Sequence, residues 1–139
     1  MMFILLIAHL NFEGDYMEVV SYIAIAILLL FIYKRLMPIK GVRNLSIADL
    51  KSELSDKNKQ FIDVRTEGEF KGFHIRGFKN IPLHELAKKA DKELSKEKEV
   101  IVICQSGMRS KQASKLLRRL GFSTVSNVKN GVNAWTTAK

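Results

Sequence analysis

Residues Val100 to Ser110 read V-I-V-I-C-Q-S-G-M-R-S, an unbroken apolar run that stops at the chain's only cysteine. Four consecutive apolar residues without alternation suit a strand covered on both faces, which demands helices above and below the sheet. Behind the cysteine, Arg109 onward carries Ala113, Leu116, Leu117 and Leu120 at helical spacing. Cys104 therefore sits where a strand hands over to a helix. Loop N–H groups and the positive end of the helix dipole converge on the loop centre, and Arg109 adds a full charge. Such a setting favours thiolate over thiol. A lone cysteine ending a hydrophobic strand also suits a small core residue. The backbone freedom of Gly107 and the polar neighbours Gln105, Ser106 and Arg109 favour the reactive role.

Spacing narrows the chemistry. Cys104 to Arg109 is C-x4-R, one residue shorter than the C-x5-R loop that wraps a tetrahedral oxyanion in thiol phosphatases and arsenate reductases. A smaller ring of N–H donors suits one extra sulfur on the cysteine better than a phosphate. A phosphatase or arsenate reductase is thus the weaker alternative.

Three separated blocks carry a resemblance. Phe61 to Arg65 reads F-I-D-V-R and is followed by Glu69-Phe70. His74-Ile75, Gly77 and Asn80-Ile81-Pro82 form the second block. The third is the loop with Ser110, Ala113, Leu116, Gly121-Phe122, Val125, Asn127, Gly131, Ala134 and Trp135. In order and separation, from about Leu45 to Trp135, the chain resembles a single-domain rhodanese, the sulfurtransferase fold that carries a persulfide on its loop cysteine. It departs from the family pattern at Phe73, Arg76, Phe78 and Asn130, all outside the loop.

The resemblance implies a sulfurtransferase that moves sulfane sulfur from thiosulfate or a persulfide donor to a thiophilic acceptor through a Cys104 persulfide. Cys104 is the nucleophile. Arg109 stabilises the thiolate and attracts anionic donors, and Gln105, Ser106, Gly107, Met108 and Ser110 form the substrate-binding cradle. Asp63 and Arg65 flank a strand end and are read as structural support that pairs and steadies the neighbouring loops. His74, beside an isoleucine, is read as a hydrogen-bonded structural residue. The resemblance sets Trp135 at one side of the pocket, whereas its place near the chain end suits a core aromatic. One cysteine and three scattered histidines give no zinc-type spacing, so neither a metal nor a cofactor is expected. The alternative is a noncatalytic, membrane-tethered binding or redox-sensing module of the same fold. Expected partners are a small-molecule sulfur donor and a thiol acceptor, and a protein persulfide fits either role.

The rest of the domain reads as alternating α and β. Ser46 with Asp49, and Thr66 with Glu69, mark capped helix starts. Gln60 to Val64, Lys79 to Ile81, Val100 to Ile103 and Thr124 to Val128 read as strands. Helices are expected over His84 to Leu94 and Arg109 to Leu120, and a last one after Asn130-Gly131. The fold class is α/β, a rhodanese-like three-layer domain with a mostly parallel central sheet, preceded by one transmembrane helix. Ligands of such sheets gather at the carboxyl ends of strands, where Cys104 falls.

Val19 to Tyr33 is uncharged and almost wholly apolar, and Lys34-Arg35 follows directly. With Met17, Leu36 and Met37 included while the cations snorkel, the span approaches the roughly 20 residues a bilayer requires. No basic segment precedes it and no small-residue cleavage site follows, so an anchor is favoured over a cleaved signal. All 23 Lys and Arg residues lie at position 34 or later, and the positive-inside rule puts the domain in the cytoplasm, single-pass at the cell membrane. A reducing compartment also suits one free cysteine. The net charge of +9 could lean on anionic lipid. It lacks the basic-aromatic motif of a nucleic-acid binder, so no nucleic acid is expected. The expected division is a tail over 1–16, a transmembrane helix over 17–37, a linker over 38–44 and the domain over 45–139. Met17 is a candidate true start.

Overall fold

A computed structural model describes residues 12–138. Residue contacts divide the chain at Pro38 into an N-terminal unit and a larger domain. Among the described residues the N-terminal unit contains the helix α1 (Phe12–Leu36). It begins earlier than the expected 17, so residues 12–16 belong to the helix. Residues 1–11 of the expected tail lie outside the described residues. Within α1, Tyr16–Lys34 has a mean hydropathy of 2.1 over 19 residues, none of it buried. At 1.5 Å per residue that stretch reaches about 28 Å, close to a hydrocarbon core of about 30 Å. It is long and apolar enough to cross a membrane, a test that a signal sequence also passes.

The domain runs β1 (Val42–Leu45), α2 (Ile47–Glu53), β2 (Lys59–Asp63), α3 (Glu67–Gly72), β3 (Lys79–Asn80) and α4 (Leu83–Glu93). It continues with β4 (Glu99–Ile103), α5 (Met108–Arg119), β5 (Val125–Val128) and α6 (Gly131–Thr137). The five strands pair in the order β1-β5-β4-β2-β3, every pair parallel. The sequence carries the reasons for several boundaries. Ser46 and Asp49 form a reciprocal capping box at α2, and Thr66 and Glu69 do the same at α3. Gly121, with φ +90°, takes the left-handed conformation that ends α5.

β4 lies between β5 and β2, and its side chains alternate between two cores. Val100, Val102 and Cys104 join Leu86 and Ala90 of α4 and Ala113 and Leu117 of α5. Ile101 and Ile103 face Leu50 of α2 and Val132 of α6, with Phe70 of α3 packed alongside. The result is the three-layer α/β sandwich expected of an apolar strand buried on both faces.

The segment expected as a linker over 38–44 is a correction: Val42, Arg43 and Asn44 pair in register with Val125, Ser126 and Asn127 as edge strand β1. Its burial does not alternate, so periodicity could not reveal it. Charge helps hold this edge. Arg43 Nη2 lies 2.9 Å from Glu53 Oε2 and 2.8 Å from Glu99 Oε1, and Lys59 Nζ bridges the same two carboxylates at 2.7 and 3.2 Å. Burial pushes the Glu99 carboxyl up, but hydrogen bonds from Ser126, Arg43 and Lys59 outweigh it and hold Glu99 below its ordinary value. The network ties the amino ends of β1, β2 and β4 together, opposite the end that carries Cys104.

Candidate active site

β4 ends at Ile103, and Cys104 opens the loop that leads into α5. Gly107, with φ +94°, is the N-cap of α5, a conformation that costs a side-chain-bearing residue about 1–2 kcal/mol. The turn brings the Gly107 N–H to 3.1 Å from Cys104 Sγ. The thiol also lies 3.4 Å from Ser110 Oγ, whose own hydroxyl donates to the Gly107 carbonyl at 3.1 Å. Cys104 is 1% exposed. The N–H groups of Gln105, Ser106 and Arg109 have no protein acceptor among the described residues, which leaves them available to an anion on the sulfur.

The outer side of the loop is held by α6. Val132 N–H donates to the Cys104 carbonyl at 2.9 Å, and Asn133 N–H donates to the Gln105 carbonyl at 3.0 Å. The close approach depends on Gly131, where a Cβ would lie 2.1 Å from the Cys104 carbonyl oxygen. The preceding Asn130 has φ +59°, the one positive value at a non-glycine among the described residues. Gln105 ties the loop sideways: its Oε1 accepts from Arg65 Nη1 at 3.0 Å and its Nε2 donates to Asn133 Oδ1. Gln105 was expected in the substrate cradle, but its side chain is taken up as a strut, so only its backbone N–H is left for a substrate. Asn133 is a positioning residue that sequence reasoning missed. No local pattern marks it, because its partners lie more than twenty residues earlier.

Arg65 and Asp63 pair in the interior at 2.7 Å, 3% and 1% exposed respectively. Arg65 also reaches the Phe73 carbonyl at 2.6 Å, and Asn80 Nδ2 donates to the carbonyls of Asp63 and Arg65 at 2.9 Å each. A buried pair with every arm hydrogen-bonded holds its loops in one arrangement, whatever its net stability.

Arg109 differs from expectation. Its guanidinium forms a bidentate pair with Glu69, at 2.8 and 2.7 Å, so its charge is largely spent on a carboxylate instead of facing the thiol alone. The sequence marks Glu69 as a helix cap, and it serves as both cap and counter-ion. The Arg109 hydrogen bonds, aided by the Thr66 cap, bring the Glu69 carboxyl down to about 2 against burial. A folded value below the ordinary 4.5 means the pair contributes stability above that value and loses it as pH falls through about 2. In a carbon-13 carboxyl titration, Glu69 is expected to show a midpoint near 2 that moves most of the way back to the ordinary value in Arg109→Gln. An ordinary midpoint in the unaltered protein would disprove the pairing.

His74 stacks on Phe70 with ring centroids 4.1 Å apart, its Nδ1 3.0 Å from the Phe70 carbonyl, a structural role. Trp135 packs on the core of the α2–α6 face under the Lys51 ammonium and does not line the cavity near Arg109.

Cys104 thus lies at the carboxyl end of a parallel sheet, in a short loop backed by a second helix. Residues 46–138 match the rhodanese-like domain family, and the chain belongs to that family. It is similar to the putative sulfur carrier protein YrkF of Bacillus subtilis, 40% identical over 82 residues, 59% of this chain and 44% of the relative. It is also similar to the putative sulfurtransferase YtwF of the same organism, 37% identical over 68% of this chain and 90% of the relative. Among solved structures, the human single-domain sulfurtransferase TSTD1 superposes with a TM-score of 0.65 at 28% identity, over 71% of this chain and 99% of that one. The chain spans less than half the length of YrkF.

Proposed function

We propose that the protein is a sulfurtransferase that takes sulfane sulfur from thiosulfate or a persulfide donor as a Cys104 persulfide and passes it to a thiophilic acceptor. The observation that carries this reading is the Gly107 N–H aimed at Cys104 Sγ in a loop whose carbonyls at Cys104 and Gln105 are turned toward α6. Carbonyls held outside leave N–H groups for the charge on a transferred sulfur, as an oxyanion hole does for oxygen.

With thiosulfate, the Cys104 thiolate attacks the sulfane sulfur. The S–S bond of the donor breaks, sulfite leaves with its electron pair, and Cys104-S-S⁻ remains. Arg109 acts through position more than charge, because Glu69 neutralises it, and the amides carry most of the stabilisation. The test is intact mass of the full chain after thiosulfate: a gain of one sulfur atom on Cys104, removed by cyanide, supports the reading. An unchanged mass with thiosulfate and with persulfide donors favours the noncatalytic binding module.

The reading includes a single-pass anchor at the cell membrane with the domain on the cytoplasmic side. The apolar length of Tyr16–Lys34 and the placement of every Lys and Arg at position 34 or later support it. The full chain is expected to stay in the membrane pellet after an alkaline carbonate wash. Release into the supernatant would remove the anchor.

A further inference from the structure

A cavity of about 300 Å³ opens at the carboxyl end of the sheet, lined by Val64, Thr66, Pro82, Leu83, His84 and Arg109. One of its lining residues, Val64, neighbours Cys104 on the sheet. Asp63 and Ile103 are register partners, and Val64 N–H donates to the Ile103 carbonyl at 3.0 Å, so Val64 and Cys104 stand side by side on strands roughly 5 Å apart. Their side chains belong to the same buried cluster. Val64, Pro82 and Leu83 give the cavity apolar walls. The Arg109 wall carries little net charge, since both terminal nitrogens bind Glu69. Space for roughly ten non-hydrogen atoms, at about 30 Å³ for each water-sized group, exceeds what thiosulfate or cyanide needs.

We propose that this cavity is the acceptor subsite and that it takes the alkyl arm of a small thiol, selecting by apolar length. The proposal rests on the persulfide reading of Cys104. In the step it serves, the acceptor thiol gives its proton to Cys104-S-S⁻ and, as thiolate, attacks the outer sulfur of the Cys104-S-SH so formed. The bond between Sγ and the outer sulfur breaks, its electron pair returns to Cys104 as thiolate, and the acceptor leaves as R-S-S-H. Apolar walls hold the arm while the loop amides receive the returning charge.

The full chain is loaded with sulfur on Cys104. Its discharge is timed with mercaptoethanol, mercaptopropanol, mercaptobutanol and mercaptohexanol, each rate corrected for thiolate fraction and divided by the rate with cyanide. The second-order ratio is expected to rise about three- to four-fold for each methylene the cavity buries, then level off once the cavity is full. Leu83→Trp, which fills the cavity, is expected to flatten the rise to less than about two-fold across the series. His84→Trp at the exposed rim gives an independent block should Leu83→Trp disturb packing. A flat series in the loaded, unaltered protein overturns the proposal, leaves the persulfide reading standing, and points to a larger sulfur carrier docking outside the cavity. A rise that survives both variants also overturns it. If no sulfur loads on Cys104, the persulfide reading fails and the subsite falls with it.

Discussion

On the proposed mechanism Cys104→Ser is expected to lower sulfur transfer about a thousand-fold or more, since it removes the nucleophile that would bear the covalent intermediate. It should also abolish the mass gain of one sulfur. A serine hydroxyl is scarcely ionised near neutral pH, and oxygen does not form the S–S bond the transfer needs. The contacts around Sγ come from the Gly107 N–H and Ser110 Oγ, and a hydroxyl can use both. The variant should therefore fold, with a stability change of about 1 kcal/mol or less from exchanging thiol for hydrogen-bonded hydroxyl. A thermal melt separates the two effects: activity lost with the melting transition nearly in place is chemical loss. Activity equal to that of the unaltered protein would end the assignment of Cys104 as nucleophile.

Gly131→Ala is expected to destabilise the domain by about 3–5 kcal/mol, near the upper end for a single substitution. It should also disable the loop. The added Cβ would lie 2.1 Å from the Cys104 carbonyl oxygen and 2.8 Å from that of Gln105, so α6 must move away from the loop. That movement breaks the Val132 and Asn133 N–H bonds to the same two carbonyls. Gly77→Ala is the matched control, because Gly77 also has positive φ, at +96°, yet nothing lies within 4 Å of its Cβ position. It should lose only the backbone strain, about 1–2 kcal/mol. Unfolding free energies of the two variants, from denaturant titration, within about 1 kcal/mol of each other would remove the steric account of Gly131.

Much of the domain was legible because its signals are local. The apolar run of β4, the reciprocal caps at Ser46 and Thr66, and the stops at Gly121 and Asn130-Gly131 each act within a few residues, where propensity and hydrogen bonding decide. The loop around Cys104 could be counted directly. What escaped depends on distance in sequence. β1 is an edge strand whose burial follows an ion-pair network instead of alternation. Glu69 reveals its cap through Thr66, but its pairing with Arg109 spans forty residues. Asn133 takes its role from α6 bonded to the cysteine loop, and the cavity wall at Leu83 from a hydrogen bond to Val64, partners that neither adjoins in sequence.

The hold of α6 on the loop has a consequence for biosynthesis. Residues 104–107 leave the ribosome before residues 131–133, which clasp their carbonyls from outside. A nascent chain halted between the two carries the cysteine but lacks the helix that turns the loop amides inward. Its thiol then lacks the burial it has in the folded domain, where it is 1% exposed, and is open to any oxidant or alkylating agent it meets. On the proposed sulfurtransferase reading, a loop shaped to steady a persulfide is complete only once that clasp has closed.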